Sequence, residues 1–132
     1  MIHEKSCGTI IIHDNKVLLV EQISGFFGFP KGHMEAGETE VETAIRETKE
    51  ETNLDVAVDS SIRFQISYIQ KETIMKEVVY FIGTIDNSEY LKAEETEIQN
   101  IFWIDMDKVE ETLSFENIRA LWRDVLKRIN NL

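Results

Sequence analysis

Cysteine and proline are nearly absent from this sequence, which has one of each in 132 residues. A single cysteine, Cys7, cannot form an internal disulfide, so we expect a reducing, cytoplasmic environment with Cys7 as a small apolar residue in a strand. The lack of any linker rich in Gly, Ser or Pro predicts one compact domain over residues 1–132. No stretch approaches the ~20 apolar residues of a membrane span, and no basic segment precedes a cleavable apolar core. Neither membrane insertion nor secretion is therefore expected.

Positive charge is also in short supply. The chain has 14 basic against 25 acidic residues, a formal net charge of −11. Such a surface repels the nucleic-acid backbone, which argues against polymeric DNA or RNA as a partner. A small polyanionic ligand is still compatible with it, provided that divalent cations bridge the two sets of negative charge.

The pattern of apolar residues predicts strands and helices in alternation. Strands are predicted at 7–13, 16–22, 54–58, 62–70, 77–85 and 101–104, with a tight hairpin at Asp14-Asn15 and a loop over 24–33. Helices are predicted at 39–52, 107–112 and 115–129. Thr39 and Glu42 form a capping box at the start of the first helix. This order predicts the α/β class, with a mixed sheet covered by helices on both faces.

Three glutamates of the first helix form the most informative cluster. Glu47, Glu50 and Glu51 share a sector roughly 100° wide, which we place opposite an apolar stripe. The stripe consists of Val41, Ala44, Ile45, Thr48 and Thr52. A solvated acidic face is the plain alternative, but like charges at this spacing near a helix C-terminus are mildly destabilising unless cations meet them. Carboxylate oxygens are hard ligands that suit magnesium.

The residues before and between these glutamates support a binding site. Gly32 and Gly37 permit a tight loop whose backbone can approach a ligand closely. Arg46 lies four residues before Glu50, where it either forms a surface ion pair or orients a glutamate by a bidentate contact. Glu38 either accepts from backbone N–H groups or pairs with Arg46.

The segment GHMEAGETEVETAIRETKEETNL at 32–54 resembles the Nudix box, G-x5-E-x7-R-E-U-x-E-E-x-G-U with U aliphatic. The positions that match are Gly32, Glu38, Arg46, Glu47, Glu50, Glu51 and Leu54. Thr48 stands where an aliphatic residue is usual, and Asn53 replaces the last glycine, where a left-handed conformation ends the helix. The resemblance implies the Nudix α/β/α sandwich, with a mixed curved sheet, a catalytic loop-helix and a C-terminal helix.

The resemblance also implies a metal-dependent hydrolase. Glu47, Glu50 and Glu51 would hold Mg²⁺ or Mn²⁺ together with the backbone carbonyl of Lys31 or Gly32. Glu50 would be central to catalysis, and Arg46 and Glu38 would support it. The ions would bridge the substrate's phosphates while water attacks phosphorus. A general base outside the box is expected among Glu94, Glu95 and Glu97, of which Glu97 is our choice; it would also lie at the metal.

Within the superfamily, FPKGHMEAGE, KEVVYF and SFENIRAL resemble the asymmetric diadenosine tetraphosphate hydrolases, which release ATP and AMP. This implies that Tyr80 stacks on an adenine, with Phe115 as the other wall. His33 and Lys76 would bind substrate, Lys76 through a phosphate. Each of these has a plain structural alternative, and Phe27 replaces a tryptophan common before the Pro-Lys-Gly run. Two other Nudix enzymes remain as alternatives, an oxidised-nucleoside-triphosphate sanitiser and a nucleotide-sugar hydrolase. A catalytically silent Nudix module that senses a nucleotide is a further alternative. We expect a monomer or a homodimer.

Overall fold

The computed structural model describes residues 2–86 and 98–130. The elements below are numbered in chain order. The strands are β1 (Ile2–His13), β2 (Lys16–Gln22), β3 (Phe27–Gly28), β4 (Lys31–His33), β5 (Ala57–Gln70), β6 (Ile74–Thr84) and β7 (Ile98–Asp105). The helices are α1 (Glu40–Thr52), α2 (Val109–Thr112) after a 3₁₀ turn at Met106–Lys108, and α3 (Glu116–Asn130).

The strands form one mixed sheet, as the sequence predicts. Its order is β3-β2-β1-β6-β5, with β4 also paired to β1 and β7 to β2. β1 and β6 run parallel from Ile2↔Ile74 to Ile11↔Gly83, whereas the other pairs are antiparallel. The first and sixth strands thus bring the N-terminal residues beside residues about seventy positions later.

Successive residues of β6 point to opposite faces of the sheet, and each face has its own core. Val78 and Tyr80 pack in the cluster that contains Trp122 of α3. Val79 and Phe81 pack with Cys7 and with Ala44 of α1. Helices therefore cover both faces, which confirms the α/β/α arrangement, and Cys7 is a buried strand residue as expected. Within the described residues, no helix is long and apolar enough to cross a membrane.

Local signals in the sequence predicted the turns and caps correctly. Asp14 and Asn15 adopt φ of 51° and 63°, the left-handed values of a tight hairpin. Thr39 and Glu42 form the full reciprocal capping box on α1, and Asn53 ends that helix at φ 67°. These features depend on neighbouring residues alone.

Two expectations about the strands are corrected. The strands predicted at 54–58 and 62–70 are one strand, β5, which begins only at Ala57 and has an irregularity in its pairing between Val58 and Arg63. The segment predicted as loop, 24–33, contains β3 and β4, because β2 and β1 supply pairing partners for them.

On α1, Ile45 is 37% exposed, while Thr43 is buried, since its hydroxyl donates to Glu38 and to the carbonyl of Thr39. Glu51 is only 2% exposed, so it belongs to the inner face of the helix rather than to the outward sector.

Candidate active site

Arg46 of α1 links the loop before the helix to the glutamates of the helix. Its Nε and Nη2 donate to the two carboxylate oxygens of Glu38, at 2.6 and 2.9 Å. Its Nη1 donates to Glu47 at 2.8 Å and to Glu50 at 3.2 Å, and Nη2 also donates to the carbonyl of His33 at 2.9 Å. The bidentate contact expected of Arg46 is thus made to Glu38, so the guanidinium joins loop, strand β4 and helix.

Glu38 closes the turn that brings this loop to the helix. It accepts hydrogen bonds from the N–H of Glu35 and the hydroxyl of Thr43, in addition to Arg46. Gly37 makes the turn possible at φ +86°. The hydrogen bonds from Arg46 hold the pKa of Glu38 at about 2, so this carboxylate is charged throughout the physiological range.

Gly32 has no side chain because Glu47 occupies that space. A Cβ at Gly32 would lie 2.6 Å from Oε1 of Glu47 and closer still to the other carboxylate atoms. The group that approaches the backbone at Gly32 is thus a glutamate of the box, and the close approach of a ligand to this loop stays a prediction.

Glu51 pins β4 to the helix from the buried side. Its Oε1 accepts from the N–H of Lys31 at 3.1 Å. Glu47 and Glu51 therefore both contact the 31–33 segment, whereas the Glu50 side chain is 50% exposed beside Arg46. The structure therefore brings Glu47 and Glu51 to the backbone of Gly32 and Lys31, and it places Glu50 beside Arg46.

Gly8 and Thr9, two residues outside the box that no sequence motif marks, lie against it. A Cβ on Gly8 of β1 would lie 2.7 Å from Cβ of Lys31, and the carbonyl of Pro30, which accepts from the N–H of Thr9, is closer still. Thr9 also shares a buried hydroxyl hydrogen bond of 2.7 Å with Thr48. The departure from the Nudix pattern at Thr48 is therefore matched by a polar partner in β1.

The candidate metal ligands have the right chemistry for a hard divalent cation. All are carboxylate or carbonyl oxygens, and the missing side chain at Gly32 lets the Glu47 carboxylate lie against the backbone there. Within residues 2–86 and 98–130, no three His, Cys, Asp or Glu side chains converge on one point, since Arg46 lies among the glutamates. Glu94, Glu95 and Glu97 lie outside the described residues.

An aromatic pocket of about 660 Å³ lies beside this cluster. Its aromatic lining residues are Phe26, Phe27, Phe29, Tyr68, Tyr80 and Phe115. Lys31 also lines it. Because the N–H of Lys31 also bonds to Glu51, this residue contacts both the pocket and the glutamate helix.

The two tyrosines of the pocket differ in accessibility. Tyr80 is 1% exposed, with the ring of Phe29 in edge contact at 5.5 Å. Stacking on a base needs an open ring face, so we correct the expectation for Tyr80, which forms the floor. Tyr68, on edge strand β5, is partly exposed and lines the same pocket. The alternation of Ile62, Phe64, Ile66 and Tyr68 in the sequence was the signal that could have found it.

The rim of the pocket is formed by two segments that are hydrogen-bonded to each other, 26–27 and 114–115. Phe115 is 47% exposed and packs on Phe26, with ring centroids 4.7 Å apart. The N–H of Phe27 donates to the Ser114 hydroxyl at 2.7 Å, and the N–H of Ser114 donates to the carbonyl of Phe27 at 3.2 Å. Phe115 is thus placed at the pocket as expected, and Phe26 is an additional wall residue.

His33 and Lys76 come together, although they are 43 residues apart in sequence. The Nζ of Lys76 lies 3.1 Å from Nε2 of His33 and 3.6 Å from a carboxylate oxygen of Glu4. Lys76 is only 6% exposed, whereas the side chain of His33 is 69% exposed. The lysine expected at a phosphate is therefore covered, and the histidine is the accessible member of the pair.

The family model described as the NUDIX domain matches residues 3–124. The chain therefore belongs to the Nudix hydrolase family, as the box predicts. Enzymes of this family act on small nucleotide substrates and generally use divalent metal ions.

Particular relatives narrow the comparison. The chain is 27% identical over 135 residues to an asymmetrical bis(5'-nucleosyl)-tetraphosphatase from Sus scrofa, with 91% of each chain covered. It is 28% identical to the protein of the same name from Rattus norvegicus, with 88% of each covered. Among solved structures, an Ap4A hydrolase of C. elegans in a binary complex has a TM-score of 0.85 at 24% identity, with 98% and 99% of the two chains covered. This last likeness concerns the fold.

Proposed function

We propose that this Nudix hydrolase is magnesium-dependent and cleaves diadenosine tetraphosphate asymmetrically into ATP and AMP. The observation that carries the proposal is the junction at Lys31, which lines the aromatic pocket while its N–H bonds to Glu51. A substrate with an adenine in the pocket would place its polyphosphate over the glutamate helix. The similarity to tetraphosphatases from two mammals supports the same substrate.

In this proposal the box glutamates bind the cation, and Arg46 orients the glutamates. Glu47, Glu50 and Glu51 would bind the cation with the carbonyl of Lys31 or Gly32. A bound Mg²⁺ or Mn²⁺ would neutralise charge on the phosphates and lower the pKa of water. Arg46 keeps the carboxylates in place through Glu38 and the His33 carbonyl.

Asymmetric cleavage would follow from the distance between pocket and glutamates. An adenosine held in the pocket presents one particular phosphorus to water. The P–O bond on the far side of that phosphorus breaks, so that AMP and ATP leave, and the water's proton passes to a base. Glu97 remains our choice for that base. The cytoplasmic location and the monomeric or dimeric state remain predictions from the sequence.

Tyr68 takes the stacking role that the sequence assigned to Tyr80. It lies on the edge strand and lines the same pocket as the rim residues Phe26 and Phe115. Stacking on an aromatic side chain is worth ~1–3 kcal/mol per base. Removing the ring should therefore raise KM for the dinucleotide about fivefold to 150-fold, with a smaller effect on kcat.

The test is a hydrolysis panel with Mg²⁺, comparing diadenosine tetraphosphate, an oxidised dGTP and a nucleotide sugar. We expect the dinucleotide to have the highest kcat/KM, with ATP and AMP as products and no turnover in excess EDTA. Tyr68→Ala should raise KM, and the matched control Tyr68→Phe, which keeps the ring, should not. Preference for another substrate, release of two ADP, or full activity in EDTA would overturn the proposal.

A further inference from the structure

Lys76 is a buried ammonium whose neighbours are defined by the sheet. It lies on β6, opposite Glu4 on parallel strand β1 and opposite Tyr68 on antiparallel strand β5. At 6% exposure it requires partners, because an unpaired buried charge is strongly unfavourable. Among the described residues, its Nζ lies 3.1 Å from Nε2 of His33 and 3.6 Å from a Glu4 carboxylate oxygen, and that same oxygen lies 3.6 Å from Nε2 of His33.

The contact between the two nitrogens defines the state of the imidazole. An ammonium has three donors and no acceptor, so Nε2 of His33 must accept the hydrogen bond. A ring that accepts at Nε2 has its N–H donor at Nδ1. Lys76 therefore leaves His33 with a single ring donor, Nδ1–H, on a side chain that is 69% exposed.

His33 is held at its backbone as well as at its ring. Its carbonyl accepts from Nη2 of Arg46 at 2.9 Å, and it follows Lys31 and Gly32 in β4. The ring is thus part of the segment whose carbonyls are candidate metal ligands. A substrate phosphate at that segment would meet the exposed imidazole before the covered ammonium.

We propose that Lys76 is a positioning residue that acts through His33: its ammonium holds the imidazole as the Nδ1–H tautomer, and that ring N–H donates to the polyphosphate. This rests on the proposed function for the identity of the polyphosphate. The arrangement of Lys76, His33 and Glu4 stands independently of it. The role differs from direct phosphate binding by Lys76, the role that the sequence analysis assigned.

A double-mutant cycle separates the two roles. Lys76→Met removes the ammonium and keeps an unbranched chain of similar length, and His33→Ala removes the ring. We expect Lys76→Met to lower kcat/KM about tenfold in the wild-type background, the size of one charge-assisted hydrogen bond, and less than twofold in the His33→Ala background. Equal losses in both backgrounds would show that Lys76 binds phosphate itself. Lys16→Met is the matched control: it removes an exposed lysine at the start of β2 that is bonded to Asp105, and it should leave kcat/KM unchanged.

A spectroscopic measurement tests the proposal without any substrate. The ¹⁵N shifts of the His33 ring, identified by their loss in His33→Ala, should show protonated Nδ1 and unprotonated Nε2 in the wild type. In Lys76→Met we expect the Nε2–H form to gain population, whereas Lys76→Arg should preserve the Nδ1–H form. An Nε2–H ring in the wild-type protein would overturn the proposal. If the expected tautomer is seen but the dinucleotide is not hydrolysed, only the proposed function fails.

Discussion

Gly32→Ala should separate catalysis from stability, because the new methyl group competes with a carboxylate rather than with backbone. The added Cβ would lie 2.6 Å from Oε1 of Glu47, and an ordinary contact is 3.4–4 Å. The carboxylate must therefore retreat by about 1 Å or more. Gly32 does not have a positive φ, so alanine fits its backbone conformation without strain.

The cost in stability should be small. Alanine restricts the unfolded chain, which stabilises the protein by ~0.4–1 kcal/mol. Moving Glu47 weakens its 2.8 Å contact with Arg46. A charge-assisted hydrogen bond is worth ~1.5–3 kcal/mol, and partial exposure to solvent reduces this value. These opposing effects leave a change of less than about 2 kcal/mol in the free energy of unfolding.

The cost in turnover should be large. A misplacement of 1 Å in a catalytic constellation lowers the rate by about 10²-fold. We expect kcat to fall by at least that factor, measured by chromatography of the nucleotide products with saturating Mg²⁺, while urea unfolding gives near-normal stability. Activity within twofold of the wild type would refute the reasoning that Gly32 is required by Glu47.

Gly8→Ala is the matched control with the opposite expectation. Its Cβ would lie 2.8 Å from Cα of Lys31, close to the carbonyl of Pro30, so the backbone of β4 must move. We expect a loss of about 1–3 kcal/mol or more in the same urea experiment. Equal stability of the two variants would show that the distinction between side-chain and backbone clashes does not hold here.

Three further outcomes are expected. Glu50→Gln should lower kcat by several orders of magnitude if Glu50 holds the cation, yet change stability by only about 0.5 kcal/mol, since its contact with Arg46 is exposed; near-normal kcat would favour a solvated face. Because Arg46 lowers the pKa of Glu38 to about 2, the stabilisation is complete above its unfolded pKa of about 4.5 and is lost as pH falls towards 2. Glu38→Gln should therefore flatten the melting temperature between these pH values, and an unchanged slope would contradict this. Lys71 and Glu72 adopt positive φ of 53° and 64° in the β5–β6 turn, so Lys71→Asn with Glu72→Gly should raise the melting temperature; a decrease would contradict the strain argument.

The features that the sequence alone determined are local ones. Each of them involves residues that are close together in the sequence. They are the capping box at Thr39, the left-handed residues Asp14, Asn15 and Asn53, and the spacing of the box glutamates. Backbone geometry of a helix or a turn is the same wherever that element lies in the fold. For this reason the family and the fold class could be predicted before any tertiary contact was known, whereas the sequence left open whether Glu38 pairs with Arg46.

Tertiary structure alone decided which residues meet across strands. β6 lies between β1 and β5, so Tyr80 is covered, whereas Tyr68 on the edge strand remains accessible; both read as strand tyrosines in sequence. The parallel register of β1 and β6 brings Glu4 to Lys76, and β4 brings His33 to the same place. No sequence motif marks Gly8, because its role depends on the backbone carbonyl of Pro30, which lies where a side chain of residue 8 would be. Strand neighbours and register are set by the burial of whole faces, which no short segment encodes.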